Sequence, residues 1–210
     1  MAMEEEIKLT APSADILDAI AADPQVLEAA QGPAQSRAFV ATYYDTADQD
    51  LLRHQWAFRL RQEGSGLLRA TLKGTGGMVN GLSRREEWEA RTPGPIHCVG
   101  DLPPGELRDQ MLAATTADAP LLPLLVTDFQ RRILLLQWGE SRGEMALDQG
   151  EVRANGKQHP LCEVELERLA GPLQPLQTLA DTLAQRYGLR HSQRSKFGLG
   201  LALLGLEGEV

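Results

Sequence analysis

Six segments of this chain alternate between apolar and charged residues, and a two-residue period of that kind forces extended structure. In "MEEEIKL", Glu4, Glu6 and Lys8 fall on one face, against Ile7 and Leu9, with Glu5, on the other. Arg59 and Arg61 oppose Phe58 and Leu60, and Arg69, Thr71 and Lys73 oppose Leu68, Ala70 and Leu72. Arg85, Glu87, Glu89 and Arg91 oppose Glu86, Trp88 and Ala90. Glu144 and Asp148 oppose Met145 and Leu147, while Glu163, Glu165 and Glu167 oppose Val164 and Leu166. Side chains of a strand alternate between faces, about 6.6 Å apart on each. Taken alone, the first of these segments is a charged tail or the solvated face of an edge strand. Repeated six times, the pattern describes a sheet with one apolar and one charged face.

The apolar face needs cover, and the chain supplies helices for it. The charged face has two readings. It is a solvated antiparallel surface whose cross-strand ion pairs are each worth little, or it lines the inside of a sheet closed on itself. Solvated faces mix Thr, Ser, Gln and Lys, whereas these are dominated by Arg and Glu. In a lumen, mixed charge is costly unless it is paired, hydrated or liganded. Clustered carboxylates suit a hard divalent cation, and Arg and Lys suit phosphate oxygens. Together they describe a site for a metal-bound polyphosphate.

The remaining segments give the order β, α, four β, α, three β, α. A helix is expected over residues 13–30, with Ser13 as its N-cap and Ile16, Leu17 and Ile20 at helical spacing. Strands are expected over 37–46, 56–63 and 67–74, the last two joined by "GSG" as a hairpin. A strand at 83–91 and a helix over about 106–114 follow. Next come strands at 127–138, within "GESRGEMALDQGEVRANGK", and at 160–169. The last helices are "LQPLQTLADTLAQRYG", stopping at Gly188, and the Gly-containing "SKFGLGLALLGL". With no internal repeat or low-complexity linker, residues 1–210 read as a single domain, long enough to bury a core without staples.

Cys98 and Cys162 belong to no CxxC pattern, and His54, His97, His159 and His191 have no ligand-like spacing, so neither a disulfide framework nor a zinc site is indicated. No apolar run spans a bilayer, and the acidic N-terminus lacks the basic region of a signal peptide. A cytoplasmic protein with no membrane partner is expected. The net charge of −8 argues against a nucleic-acid partner, but a phosphate ligand needs only local positive charge.

The E-x-E-x-K of "EEEIK", followed in order by "TYYDTADQDLL", "FRLRQE", "TLKG", "RREEWE", "ALDQGEV", "CEVELE" and a terminal "SK", resembles the CYTH superfamily, also called triphosphate tunnel metalloenzymes. The likeness runs through nearly the whole chain, and "TDFQRR", "ALDQGEVRA" and "CEVELE" are most similar to the bacterial inorganic triphosphatase branch. It implies an α+β fold, a closed antiparallel eight-stranded β-tunnel with helices packed on the outside. In that branch a helical, histidine-rich CHAD domain often follows the tunnel, so the chain is expected to be a stand-alone or shortened member, monomer or homodimer. Carried over by motif, Glu4 and Glu6 would be metal ligands, and Lys8 would contact phosphate or position the attacking water. Arg59, Arg61, Lys73 and Arg85 would hold the phosphate chain, with Lys196 reaching in from the C-terminal segment. Glu87, Glu89, Asp148, Glu163 and Glu165 would complete the metal sites. Arg131 and Arg132 face opposite ways, and the segment match favours Arg131. Glu167 is set aside as a structural ion pair, and Ser83 and Ser195 as turn or capping residues.

The resemblance further implies two divalent ions, Mg²⁺ or Mn²⁺, and in-line attack by water on a terminal phosphorus with no covalent nucleophile. Inorganic triphosphate is the first expected substrate, with thiamine or nucleoside triphosphates next and a class IV adenylate cyclase reaction behind them. A non-catalytic polyphosphate-binding module is the rival. The number of carboxylates favours the enzyme, because holding a polyanion does not need so many acids.

Overall fold

The structure, a computed structural model, describes residues 2–63, 67–74, 77–92 and 94–206. Its elements in chain order are β1 (Ala2–Thr10), α1 (Ala14–Ala21), α2 (Pro24–Ala29), β2 (Gln35–Asp45), α3 (Asp50–Arg53), β3 (Trp56–Glu63), β4 (Leu67–Gly74), β5 (Met78–Val79) and β6 (Leu82–Thr92). Then follow α4 (Glu106–Ala114), β7 (Leu122–Trp138), β8 (Ser141–Ala154), β9 (Lys157–Ala170), α5 (Gln174–Tyr187), β10 (Arg190–His191) and α6 (Lys196–Leu204).

β1 pairs antiparallel with both β6 and β9, and this closes the sheet. The ring runs β1-β9-β8-β7-β2-β3-β4-β6, with the two-residue β10 and β5 added on β1 and β6. It is the closed antiparallel eight-stranded barrel that the family resemblance implies, and of the two readings that the alternation left open it is the closed one. β3 and β4 pair from Trp56↔Gly74 to Glu63↔Leu67; the "GSG" expected between them lies outside the described residues.

The apolar faces point outward and are covered. Ile7, Leu9, Leu134, Met145, Leu147, Val164 and Leu166 pack under Leu17, Ile20, Val26, Leu179 and Leu183 of α1, α2 and α5. Phe58, Leu60, Leu72 and Trp88 pack with Leu51 of α3 and Leu107 and Met111 of α4. Each fully buried side chain of this size stabilises by roughly 1.5–3 kcal/mol. α6 packs on β7, β8 and β9, with Phe197 and Leu201 against Leu125, Phe129 and Val152. Its close approach requires Gly200, where a Cβ would stand 2.3 Å from Leu125 Cδ2.

Two expectations, the single helix over 13–30 and the strand start at 127, are corrected. The helix over 13–30 is two helices, because Pro24 starts a new one with Asp23 as its cap, accepting from Gln25 N at 2.8 Å and Val26 N at 3.4 Å. Ser13 occupies the N-cap position of α1 without a side-chain capping bond. β7 begins at Leu122, five residues before the expected start at 127, since β2 extends alongside it from Asp45↔Leu122. Within "TYYDTADQDLL", Asp45 is buried and accepts the backbone N–H of Thr46, Leu51 and Leu52 at 2.7–2.9 Å, which ties α3 to the end of β2.

Candidate functional site

The inward faces enclose a cavity of about 400 Å³. The strands divide it into two walls. β1, β9 and β8 contribute Glu4, Glu6, Lys8, Glu165, Glu167 and Glu144. β2, β3, β4 and β6 contribute Arg37, Arg59, Arg61, Arg69, Lys73 and Arg85, with Glu87 and Glu89 among them. The period of two puts each set on one face, and closure of the barrel brings the faces together.

The register sets three carboxylates in a row. Glu6 is opposite Glu167 across β1 and β9, and Glu167 is opposite Glu144 across β9 and β8. Like charges at directly opposed positions are destabilising, and this repulsion adds to the effect of burial on the acidity of these groups. Burial, followed by Glu4 and Glu144, pushes the Glu167 carboxyl up to about 7, with Lys73 opposing. Burial also raises Glu144, with Glu165 and Asp148 adding to it against Arg131. Burial acts the same way on Glu6, but Lys8, Arg85 and Lys73 outweigh it and Glu165 to bring Glu6 down to about 2. Motif matching did not name Glu144, and Glu167 was set aside as a structural ion pair. Glu167 makes no close ion pair among the described residues. The alternation had put both on the charged face, but only the register shows them adjacent.

Behind this row lies a buried ion-pair box. The Lys196 ammonium sits 2.7 Å from carboxylate oxygens of Asp148, Glu163 and Glu165. Arg131 donates to both oxygens of Asp148 at 2.7 Å and also reaches Glu165. Lys8 lies 2.8 Å from Glu165 and 3.4 Å from Glu6. Burial would lower Lys8, but Glu165 and Glu6 outweigh it and hold the amine above its usual range, so Lys8 is a fixed cation and no proton acceptor. Oxygens of Asp148, Glu163 and Glu165 lie within 4.8 Å of one another, a group that could hold a metal; here their charge is met by Lys196, Arg131 and Lys8. Arg131 faces the cavity, whereas Arg132 points outward to Asp18 at 2.8 Å.

The opposite wall is less fully paired. Lys73 bonds both oxygens of Glu4 at 2.8 and 2.9 Å and lies 3.2 Å from Glu87. Arg85 pairs with Glu6 and stands 3.6 Å from Glu4. Arg59 reaches the Tyr43 phenol at 3.4 Å. The Nε atoms of Arg59 and Arg85 are buried with no hydrogen-bond partner among the described residues. Such orphaned donors mark where an anion is wanted. Arg61 lies over the Phe39 ring, 4.6 Å from its centroid. Glu89 is drawn away to Arg69 and, at 3.3 Å, to Thr71. Arg37 and Arg69 join the wall although no motif named them; Arg37 stands two residues before Phe39, with the parity of Tyr43. Ser195 lines the cavity and caps α6, accepting from Gly198 N at 3.1 Å. Ser83, expected in a turn, lies buried on β6 with its hydroxyl unpartnered among the described residues.

Of the residues singled out by sequence, Glu4, Glu6, Lys8, Arg59, Arg61, Lys73, Arg85, Glu87, Glu89, Arg131, Glu165 and Lys196 line one cavity. Asp148 and Glu163 stand just behind it, tied to it through Lys196. The donor set includes all-oxygen carboxylates suited to a hard divalent cation: oxygens of Asp148, Glu163 and Glu165 lie within 4.8 Å of one another, and Glu6, Glu167 and Glu144 hold opposed positions in the register, where a bound cation would relieve their repulsion.

A family model described as the CYTH domain matches residues 2–198. The inorganic triphosphatase of Haemophilus influenzae is 33% identical over 167 residues, covering 77% of this chain and 45% of that protein. The chain thus spans about half the length of that curated relative. Among solved structures, a Hippeastrum protein described as an adenylyl cyclase candidate with a dominant triphosphatase activity superposes with a TM-score of 0.71 at 21% identity. That match covers 97% of this chain and 99% of the other. An adenylate cyclase candidate of Bacillus halodurans superposes with a TM-score of 0.52 at 18% identity, covering 88% and 92%. At such identities these structures speak for the fold alone.

Proposed function

The chain belongs to the CYTH-domain family, and from that premise we propose that its tunnel hydrolyses inorganic triphosphate to pyrophosphate and phosphate with the help of a divalent cation. The observation that carries the proposal is the row Glu6, Glu167 and Glu144 in one cavity with Arg59 and Arg85, whose Nε atoms are buried with no hydrogen-bond partner among the described residues. Among the described residues Glu167 and Glu144 have no close cation, and the Arg59 Nε has no acceptor. A metal-bound polyphosphate supplies both.

Glu4, Glu6, Glu144 and Glu167 would hold the ion, with Glu165 and Glu87 beside them. All-oxygen donors suit Mg²⁺ or Mn²⁺. Bound there, the ion supplies charge neutralisation at phosphoryl oxygens and a more acidic water. The chain's own part is positioning and electrostatics. Arg59, Arg61, Lys73 and Arg85 orient the phosphates and offset the charge on the transferred phosphoryl group. Lys8, fixed between Glu6 and Glu165, adds a cation where the water and the terminal phosphate meet. Asp148 and Glu163 serve a different end in this proposal: they hold Lys196 and Arg131 in place. Glu89 serves the rim with Arg69. The free cysteines Cys98 and Cys162 fit a cytoplasmic setting, and among the described residues no helix is long and apolar enough to cross a membrane.

Phosphate release from tripolyphosphate, pyrophosphate, ATP, thiamine triphosphate and long-chain polyphosphate, with Mg²⁺ and Mn²⁺ compared, tests this. The cations of the basic wall come from four strands, so a three-phosphate chain engages more of them than a two-phosphate chain. Each tenfold in rate needs only about 1.4 kcal/mol. Tripolyphosphate should therefore turn over more than about tenfold faster than pyrophosphate at equal metal. Comparable rates would refute the tunnel-length basis, a faster organic triphosphate would reassign the substrate, and tight binding without turnover would leave a binding module.

A further inference from the structure

Tyr43 is buried on β2, with its two ends committed to different parts of the site. Its phenolic oxygen accepts a hydrogen bond from Arg59 Nη1 at 3.4 Å. Its ring stacks on Phe197, with centroids 5.2 Å apart and planes inclined by 28°. Phe197 is the second residue of α6, directly after Lys196, whose ammonium is held at 2.7 Å by Asp148, Glu163 and Glu165. Consecutive residues of α6 thus grip opposite walls, the acidic one through Lys196 and the basic one through Phe197 and Tyr43.

Arg59 needs such a grip. Its side chain is long and rich in rotamers, and ordering it on ligand binding subtracts from affinity. Its Nε is buried with no hydrogen-bond partner among the described residues, so an acceptor that enters the tunnel, such as a bound anion, completes its hydrogen bonding. A buried phenol also needs a partner for its oxygen, and Arg59 is that partner. We propose that Tyr43 is a positioning residue: seated on Phe197, its phenolic oxygen holds the Arg59 guanidinium extended into the tunnel before the phosphate chain arrives. The role in turnover rests on the triphosphate reading above, while the contact itself does not.

A double-mutant cycle separates positioning from general packing. Tyr43→Phe keeps the ring on Phe197 and removes only the oxygen. With tripolyphosphate and Mn²⁺, kcat/KM of Tyr43→Phe should fall roughly tenfold, the scale of one hydrogen bond to a charged group. In the Arg59→Ala background the same change should alter kcat/KM by less than about twofold. A Tyr43→Phe protein as active as wild type overturns the proposal. So does an equal loss in both backgrounds, because a merely structural role would cost the same with or without Arg59.

A substrate-free measurement keeps the two inferences apart. The charged groups facing the phenol are Arg59, then Lys73 and Lys196; burial pushes Tyr43 up, but these cations outweigh it and bring it below its usual value. Ultraviolet titration, with Tyr43→Phe as the blank, should show the phenol moving up in Arg59→Ala. If wild-type protein neither binds nor cleaves tripolyphosphate, the functional reading falls, and the phenol alone decides the contact. An upward shift then supports it, and an unchanged titration overturns it.

Discussion

Replacing Lys196 with methionine should lower the stability of the protein at pH 7 by about 3–5 kcal/mol, the cost of removing one partner from a buried ion pair. The side chains it holds are nearly sealed from water: Asp148 is 0% exposed, Glu163 4% and Glu165 8%. Arg131 and Lys8 would still answer Asp148 and Glu165, but Glu163 would keep no cation among the described contacts. Methionine fills a similar volume, so the loss is electrostatic in origin, and urea unfolding would read it as a lower midpoint. Two controls follow from the same geometry. Acidifying towards pH 5 should shrink the difference, because carboxylates crowded without Lys196 take up protons as the pH falls. Millimolar Mn²⁺ should also recover part of it, since three oxygens within 4.8 Å would lose their resident ammonium. An unchanged midpoint would mean that the box contributes nothing to the fold.

The two-faced sheet was legible because its signal is local, whereas its closure into a barrel was implied by the family resemblance. Alternation in "MEEEIKL" or "FRLRQE" shows which side chains share a face without knowledge of the partner strand. What stayed hidden needed the register. Glu144 and Glu167 are visibly on the charged face, yet 23 positions separate them, and only the β8–β9 pairing makes them neighbours. The opposite face of β1 carries Glu5, as the alternation places it, but the alternation does not show the partners that meet it there, Arg84 and Arg168. Motif matching placed Asp148, Glu163 and Glu165 with the metal ligands by carry-over from the family resemblance. It could not show that Lys196 would stand among them, since that depends on how α6 docks. The break at Asp23-Pro24 was readable, a capping residue before a proline, but the apolar periodicity on either side masked it.

Glu167→Gln should abolish metal-dependent turnover, by on the order of 100-fold or more, and yet raise the melting temperature of the metal-free protein at pH 8. The second half follows from the sign of its titration. A carboxyl raised from an ordinary 4.5 to about 7 holds a proton in the folded state that the unfolded chain has already released. Metal-free stability therefore falls as the pH climbs from about 4.5 through 7, and is level above that. Solvent screens this partly buried group, so the penalty is about 1–2 kcal/mol, worth roughly 3–6 °C of melting temperature in a chain of this size. Glutamine carries no such charge and escapes the penalty. A divalent cation acts in the opposite sense: it must displace the proton, so Mn²⁺ should raise the wild-type melting temperature more at pH 8 than at pH 6. In Glu167→Gln that pH dependence should flatten. Glu6 behaves differently, because Lys8, Arg85 and Lys73 have already brought it to about 2. Its stabilising contribution is present above about 4.5 and lost only as the pH falls towards 2. Glu6→Gln should thus remove turnover without raising metal-free stability. If both variants gained stability alike, or if Mn²⁺ protected the wild type equally at pH 6 and pH 8, Glu167 would not be the carboxylate that waits for the ion.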